Sequence, residues 1–296
     1  MASQRLSFYD EIKKNKRHSN LLVGVVMLVL LLLVYVIAMV VGTDYFFFIL
    51  IAGTIISVLY VVCGYYKSAQ LALVSVNAKP ASETQYRQYH HLVEGLALAS
   101  GLPKPKLYVM NNSQINAFAS GRDPQNAIIC VTTGALEKLN NQELEGVLAH
   151  EMSHIANYDI RFMTLTAVLV GMISIISQIF IRSLWFGSMT NGRDNNKGKA
   201  IFLIIGVVLA ILAPIITSLV QLAISRRREY VADSSAVKFM RTPTGLIGAL
   251  KKIKSNSPMK VSGAVAPLFL AKPNKSREIF MTHPPLEKRI ERLESM

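Results

Sequence analysis

The sequence predicts a mainly α protein of the α+β class, anchored in a membrane by two transmembrane helical hairpins that frame a domain with a small β-sheet. Three observations predict it. The 296 residues are 51% hydrophobic and only 17% charged, with a mean hydropathy of +0.36, too apolar for an ordinary soluble domain. Four long runs carry no charge and fall in two pairs. Between and after the pairs, apolar residues recur with helical spacing, interrupted by three short strand-like runs.

Residues 1–20 form a basic N-terminus with Arg5, Lys13, Lys14, Lys16 and Arg17. Residues 21–66 form the first hairpin. Leu21–Val41 and Phe46–Tyr66 are uncharged, and each is long enough to cross a hydrocarbon core of ~30 Å as a helix. Only Gly42–Tyr45 separates them, so the hairpin is tight. The first run is too long for a cleavable signal and no small-x-small site follows it, so it is expected to stay as an anchor. The turn at 42–45 has no base, while Arg226, Arg227 and Arg228 close the fourth run. The excess of bases on one side places the N-terminus, the 67–159 region and the C-terminal tail in the cytoplasm. Arg193, Lys197 and Lys199 in the loop 187–199 argue mildly the other way.

Residues 67–159 form the first part of the domain between the hairpins. A helix is expected over 82–100, opened by a Ser82–Gln85 capping box and stopped by Gly101, with Tyr89, Leu92, Val93, Leu96 and Ala97 as its apolar stripe. His90 and His91 are adjacent and cannot share a helix face, which makes them surface or packing residues. Three strands follow at 106–110, 115–119 and 127–131, split by Asn111-Asn112 and by Gly121–Pro124. A second helix begins at Asn140, an N-cap with Glu143 three residues on. Residues 160–225 hold the second hairpin, with runs at Phe162–Ile181 and Ala200–Ser225; a buried core hairpin is the alternative. Residues 226–296 form the second part of the domain, in which 256–276, rich in Pro, Gly and Lys, is expected to be a loop near the site.

The charge of +14 does not point to nucleic acid, because the bases gather at the ends of the apolar runs, where anionic lipid headgroups attract them. The two cysteines, Cys63 and Cys130, form no C-x-x-C, so neither a disulfide framework nor a cysteine metal site is indicated.

The second helix carries the chemistry. His150-Glu151-Met152-Ser153-His154 is H-E-x-x-H. Two histidines four apart stand one turn above the other on one face and can share a tetrahedral zinc ion. Glu151 lies near enough to take a proton from a water on that metal. The pattern predicts a zinc-dependent hydrolase of amide bonds. A third ligand is needed, and Glu229 and Asp233 follow the fourth apolar run on one face of a helix. Glu229 can complete a His-His-Glu set, and Asp233 can accept the free N–H of a ligand histidine. The alternative is a juxtamembrane helix whose acids pair with Arg226–Arg228. The topology favours the metal site, because a hairpin returns its two ends to the same membrane face.

Taken jointly, Asn116-Ala117-Phe118-Ala119, the H-E-x-x-H-x-x-N-x-D of His150–Asp159, the E-x-x-x-D of Glu229–Asp233 and Thr282-His283-Pro284-Pro285 resemble the HtpX heat-shock metalloproteases, bacterial relatives of the CAAX prenyl proteases in the gluzincin group. The resemblance spans nearly the whole chain. It implies a zincin-like metalloprotease domain with one Zn(2+) per subunit held by His150, His154 and Glu229, and with Glu151 as the base. Asp233 stands behind the ligands, Asn157 and Asp159 support the structure, and Arg289 supports the site. Asn116, Ala117, Phe118 and Ala119 resemble the edge strand that pairs with an extended substrate. His283 resembles a late histidine that faces the tetrahedral oxyanion. Read from the residues alone, it simply precedes a helix with proline at its first position. The implied function is a zinc metalloendopeptidase at the cytoplasmic face of the cell membrane, acting on misfolded or damaged membrane proteins in stress and quality control. Its partners would be protein and peptide substrates and the lipid bilayer, without nucleic acid. Two alternatives stay open: an intramembrane site-2-type zinc protease, and a non-catalytic zinc-binding membrane scaffold.

Overall fold

The computed structural model describes residues 8–41, 43–165, 206, 226–255, 269–270 and 284–296. Helices α1 (Phe8–Val41) and α2 (Phe46–Ser75), joined by a 3-10 turn at Thr43–Tyr45, pack on each other as the first hairpin. A Cβ built on Gly53 would lie 2.6 Å from the Val34 side chain, so glycine is what allows the close approach. Both helices overrun the uncharged stretches, because backbone hydrogen bonding continues past the apolar residues. Among the described residues one segment, Phe46–Lys67, is long and apolar enough to cross a membrane. Phe47, Phe48, Ile51 and Ile55 on it are exposed on the protein surface. The second hairpin lies outside the described residues, apart from 160–165, which are helical, and 206. Its loop 187–199 lies outside them as well.

The sheet has four strands in the order β1 (Lys79–Pro80), β2 (Lys106–Met110), β4 (Ile128–Thr132), β3 (Ala117–Ser120). Strand β2 runs parallel to β4, while β3 runs antiparallel to it and β1 antiparallel to β2. Successive side chains on a strand point to opposite faces, and here both faces are covered. Leu107, Val109, Ala117, Ala119, Ile129 and Val131 enter the main core. Met110, Phe118, Ile128 and Cys130 pack on Ala72 and Leu73 from the end of α2 and on Met163. Covering on both faces explains the unbroken apolar runs. The third strand begins two residues later than expected, because the Thr132 hydroxyl accepts the Asn116 N–H and the Asn116 side chain accepts the Ala117 N–H.

Helix α3 (Arg87–Ser100) starts five residues later than its sequence suggests. Ser82 does not cap it; its hydroxyl pairs with Thr84 at 2.9 Å. Gly101 ends it in the left-handed conformation, φ +68°, as expected for a C-terminal glycine. His90 is buried against the Ala81 carbonyl and His91 is exposed, the packing and surface roles expected. Helix α4 (Thr133–Lys138) is capped by Thr132. Helix α5 (Asn141–Ala156) has the full capping box between Asn140 and Glu143. It is enclosed by β3, α3, α6 (Arg226–Met240) and α7 (Thr244–Ser255). A Cβ on Gly146 would strike the Leu246 backbone N and come within 2.7 Å of Gly245 C, so α5 and α7 meet backbone to backbone. The last helix, α8 (Leu286–Glu294), has Pro285 at its N-cap, one position earlier than the expected first turn.

Candidate active site

His150 and His154 project from one face of α5, and Glu229 and Asp233 project toward them from one face of α6. His150, Glu151, His154, Glu229 and Asp233 are all buried. The Nε2 atoms of the two histidines are 3.2 Å apart. Glu229 faces both, with one carboxylate oxygen, Oε2, 3.5 Å from His150 Nε2 and the other, Oε1, 3.6 Å from His154 Nε2. These are the atoms that can hold one metal ion. Tetrahedral bonds of ~2.0–2.2 Å put neighbouring ligand atoms roughly 3.3–3.6 Å apart, close to each of these separations.

The protonation pattern points the same way. His150 Nδ1 lies 2.9 Å from Asp233 Oδ1 and His154 Nδ1 lies 3.1 Å from Asp159 Oδ2. Each Nδ1–H donates to its carboxylate, an assignment made from the hydrogen-bond network. Both Nε2 atoms are thereby turned toward each other, 3.2 Å apart, where a proton or a cation is needed between them. Burial and the Arg289 charge oppose a proton on His150, yet Asp233 and Glu229 outweigh them and hold its pKa up to about 9. His154 is likewise raised, against burial, by Asp159 and Glu229. The surrounding carboxylates therefore call for positive charge at this point.

The layer behind the ligands is also charged and buried. Arg289 on α8, with no exposed side-chain surface, grips Asp233 with two donors: Nε to Oδ2 at 2.9 Å and Nη2 to Oδ1 at 2.6 Å. Burial works against the Asp233 carboxylate, but Arg289 and His150 overcome it and keep its pKa below the usual value. Asp159 reaches His154 because Tyr158, at φ +59°, reverses the chain just after α5. Asn157 is the buried C-cap of α5.

Glu151 is fully buried, and its carboxyl pKa is raised by desolvation against the pull of the two histidines. The Ala119 backbone N–H faces it and favours its charged form. Strand β3 is thus the sheet edge beside the histidine pair. The Thr132 N–H donates to Asn116 C=O, and Phe118 and Ser120 face Cys130 and Ile128 in the same register. In an antiparallel pair hydrogen-bonded residues alternate, so Ala117 and Ala119 turn their backbone groups outward.

The structure therefore brings together His150, His154, Glu229, Glu151, Asp233, Asp159 and Arg289, with Asn116–Ala119 alongside. His283 lies outside the described residues. Asp159 was expected only as a structural support, whereas it orients a histidine of the pair; its position five residues after His154, beyond a helix end, was the available signal. Phe269 and Leu270 were missed as individual residues within 256–276. Leu270 N–H donates to Ala117 C=O at 3.0 Å, and no motif marks that contact.

A family model described as peptidase family M48 matches residues 83–296. A curated relative described as a protease HtpX homolog, from Thermoanaerobacter pseudethanolicus, is 47% identical over 244 residues, covering 81% of this chain and 82% of that one. Another, from Streptococcus pyogenes, is 41% identical over 256 residues, covering 83% and 86%. The crystal structure of S. mikatae Ste24p matches with a TM-score of 0.51 and 20% identity, covering 98% of this chain and 66% of that one, a likeness of fold. With the match to most of its length and identities above 40%, the chain belongs to peptidase family M48, with the HtpX proteases, and is a metalloprotease.

Proposed function

We propose that this metalloprotease uses zinc, held by His150, His154 and Glu229, to hydrolyse peptide bonds of misfolded or damaged membrane proteins at the cytoplasmic face of the membrane. The observation that carries the reading is the buried group of His150, His154 and Glu229, backed by Asp233 and Asp159. The ion these residues would hold would supply Lewis-acid activation of a scissile carbonyl and of a water molecule. Glu151, its carboxyl raised by burial, takes the proton from that water and delivers it to the leaving amine. Asp233 and Asp159 keep the two histidines in the tautomer that presents Nε2. The outward backbone groups of β3 pair with an extended substrate, so selection by side chain is loose. His283 is proposed to face the developing oxyanion.

The apolar segment Phe46–Lys67, the uncharged runs of the second hairpin and the basic N-terminus support a four-span protein with its domain in the cytoplasm. The burial of α5 among the sheet and other helices weighs against an intramembrane site of the site-2 type. Closed structural zinc sites use four ligands, commonly cysteines, which weighs against a zinc scaffold.

The test is Glu151→Gln in the detergent-solubilised full chain. Zinc content should match the wild type, while cleavage of unfolded casein should fall by about 10²–10⁴-fold. Wild-type turnover by this variant would defeat the mechanism.

A further inference from the structure

The outward edge of β3 is already engaged by the protein itself. Ala117 N–H donates to Asn116 Oδ1 at 3.0 Å. Ala117 C=O accepts Leu270 N–H at 3.0 Å. Phe269 and Leu270 are both buried, and their side chains part to opposite faces of the sheet. Phe269 sets its ring edge-on to Phe118, centroids 5.0 Å apart, in the cluster beneath the sheet. Leu270 enters the main core shared by Ala117, Ala119 and α5. The two residues form a bend rather than a strand, but with one backbone N–H on the neighbouring edge and consecutive side chains on opposite faces they occupy the place an added strand would take.

We infer that Phe269–Leu270 is an internal occupant of the substrate-binding edge, so that the protease rests in a self-inhibited state which an extended substrate must displace. The inference rests on the proposed pairing of substrate with β3. A substrate backbone at Ala117 would claim the same carbonyl and the same space. The contact described at this edge is one backbone hydrogen bond and two side chains, which a longer extended polypeptide can outcompete.

The experiment uses the full chain in detergent with zinc. Phe269→Ser removes the ring anchor and Leu270→Pro removes the donor to Ala117. Both are made alone, for kinetics, and together with Glu151→Gln, for binding of fluorescein-labelled unfolded casein by anisotropy. Each variant should bind casein more tightly and show a lower KM with unchanged kcat. An edge open about one-tenth of the time gives a change of about tenfold. A synthetic peptide copying residues 266–272 should raise the KM of the wild type for casein without changing kcat, and a copy with Ser in place of both Phe269 and Leu270 should not. The peptide decides the matter if the variants fail to fold. Unchanged or weaker casein binding in folded variants, or a peptide without effect on KM, overturns the inference. Ala119→Pro removes an outward N–H that a paired substrate would use; loss of casein binding there with no effect at 269 and 270 sinks self-inhibition alone. Binding that ignores Ala119→Pro sinks the pairing reading as well.

Discussion

Replacing Arg289 with methionine removes the charge most deeply enclosed behind the histidine pair. The side chain has no exposed surface and makes a two-pronged contact with Asp233 at 2.9 and 2.6 Å. Methionine fills similar volume, so a cavity contributes little. What remains is an Asp233 carboxylate, itself buried, without its counter-charge. Removing one partner of a buried ion pair costs about 3–5 kcal/mol, several times a neutral hydrogen bond at ~1 kcal/mol. Because Asp233 also fixes His150 at 2.9 Å, metal affinity should fall by about 10–100-fold. The assay is denaturant unfolding of the solubilised full chain, with and without zinc, together with zinc titration. The diagnostic comparison is the double variant Arg289→Met/Asp233→Asn. If the loss comes from a stranded charge, neutralising Asp233 recovers part of it, and the double variant is more stable than Arg289→Met alone. A loss under ~1 kcal/mol for the single variant, or two losses that simply add, would refute the reasoning.

The same packing sets two other outcomes. Asp159→Ala frees the His154 Nδ1–H from its 3.1 Å acceptor, and zinc affinity, read by competition with a chromophoric chelator, should drop by about 10–100-fold while α5 helicity persists. Gly146→Ala drives a methyl group into the backbone of α7 at Gly245 and Leu246. No rotamer change relieves a backbone contact, so unfolding should show a loss of about 1–3 kcal/mol, and an unaltered midpoint would mean the two helices are not in contact in solution.

Much of the site was legible in the sequence because its signals are local. H-E-x-x-H fixes two ligands through helix period alone, and the capping box of Asn140 and Glu143 fixes where that helix begins. The E-x-x-x-D of Glu229–Asp233 was readable for the same reason, once the hairpin expected between the two motifs was taken to return the chain to one face. Boundaries were less legible where side chains chose between equivalent local partners. Ser82 had the pattern of a cap, but its hydroxyl turned to Thr84 and α3 began at Arg87.

The residue types and helical spacing thus determined that two imidazoles and a base share one face of α5. Only tertiary structure decided that Asp159 turns back onto His154, that Arg289 comes from the last helix to neutralise Asp233, and that Leu270 lies on the outer edge of β3. Those contacts join residues with no common period: the pairs Arg289–Asp233 and Leu270–Ala117 lie 56 and 153 positions apart. Long-range partners are chosen by which buried charge needs compensation and which backbone group needs a donor, conditions that exist only once the chain has closed around them.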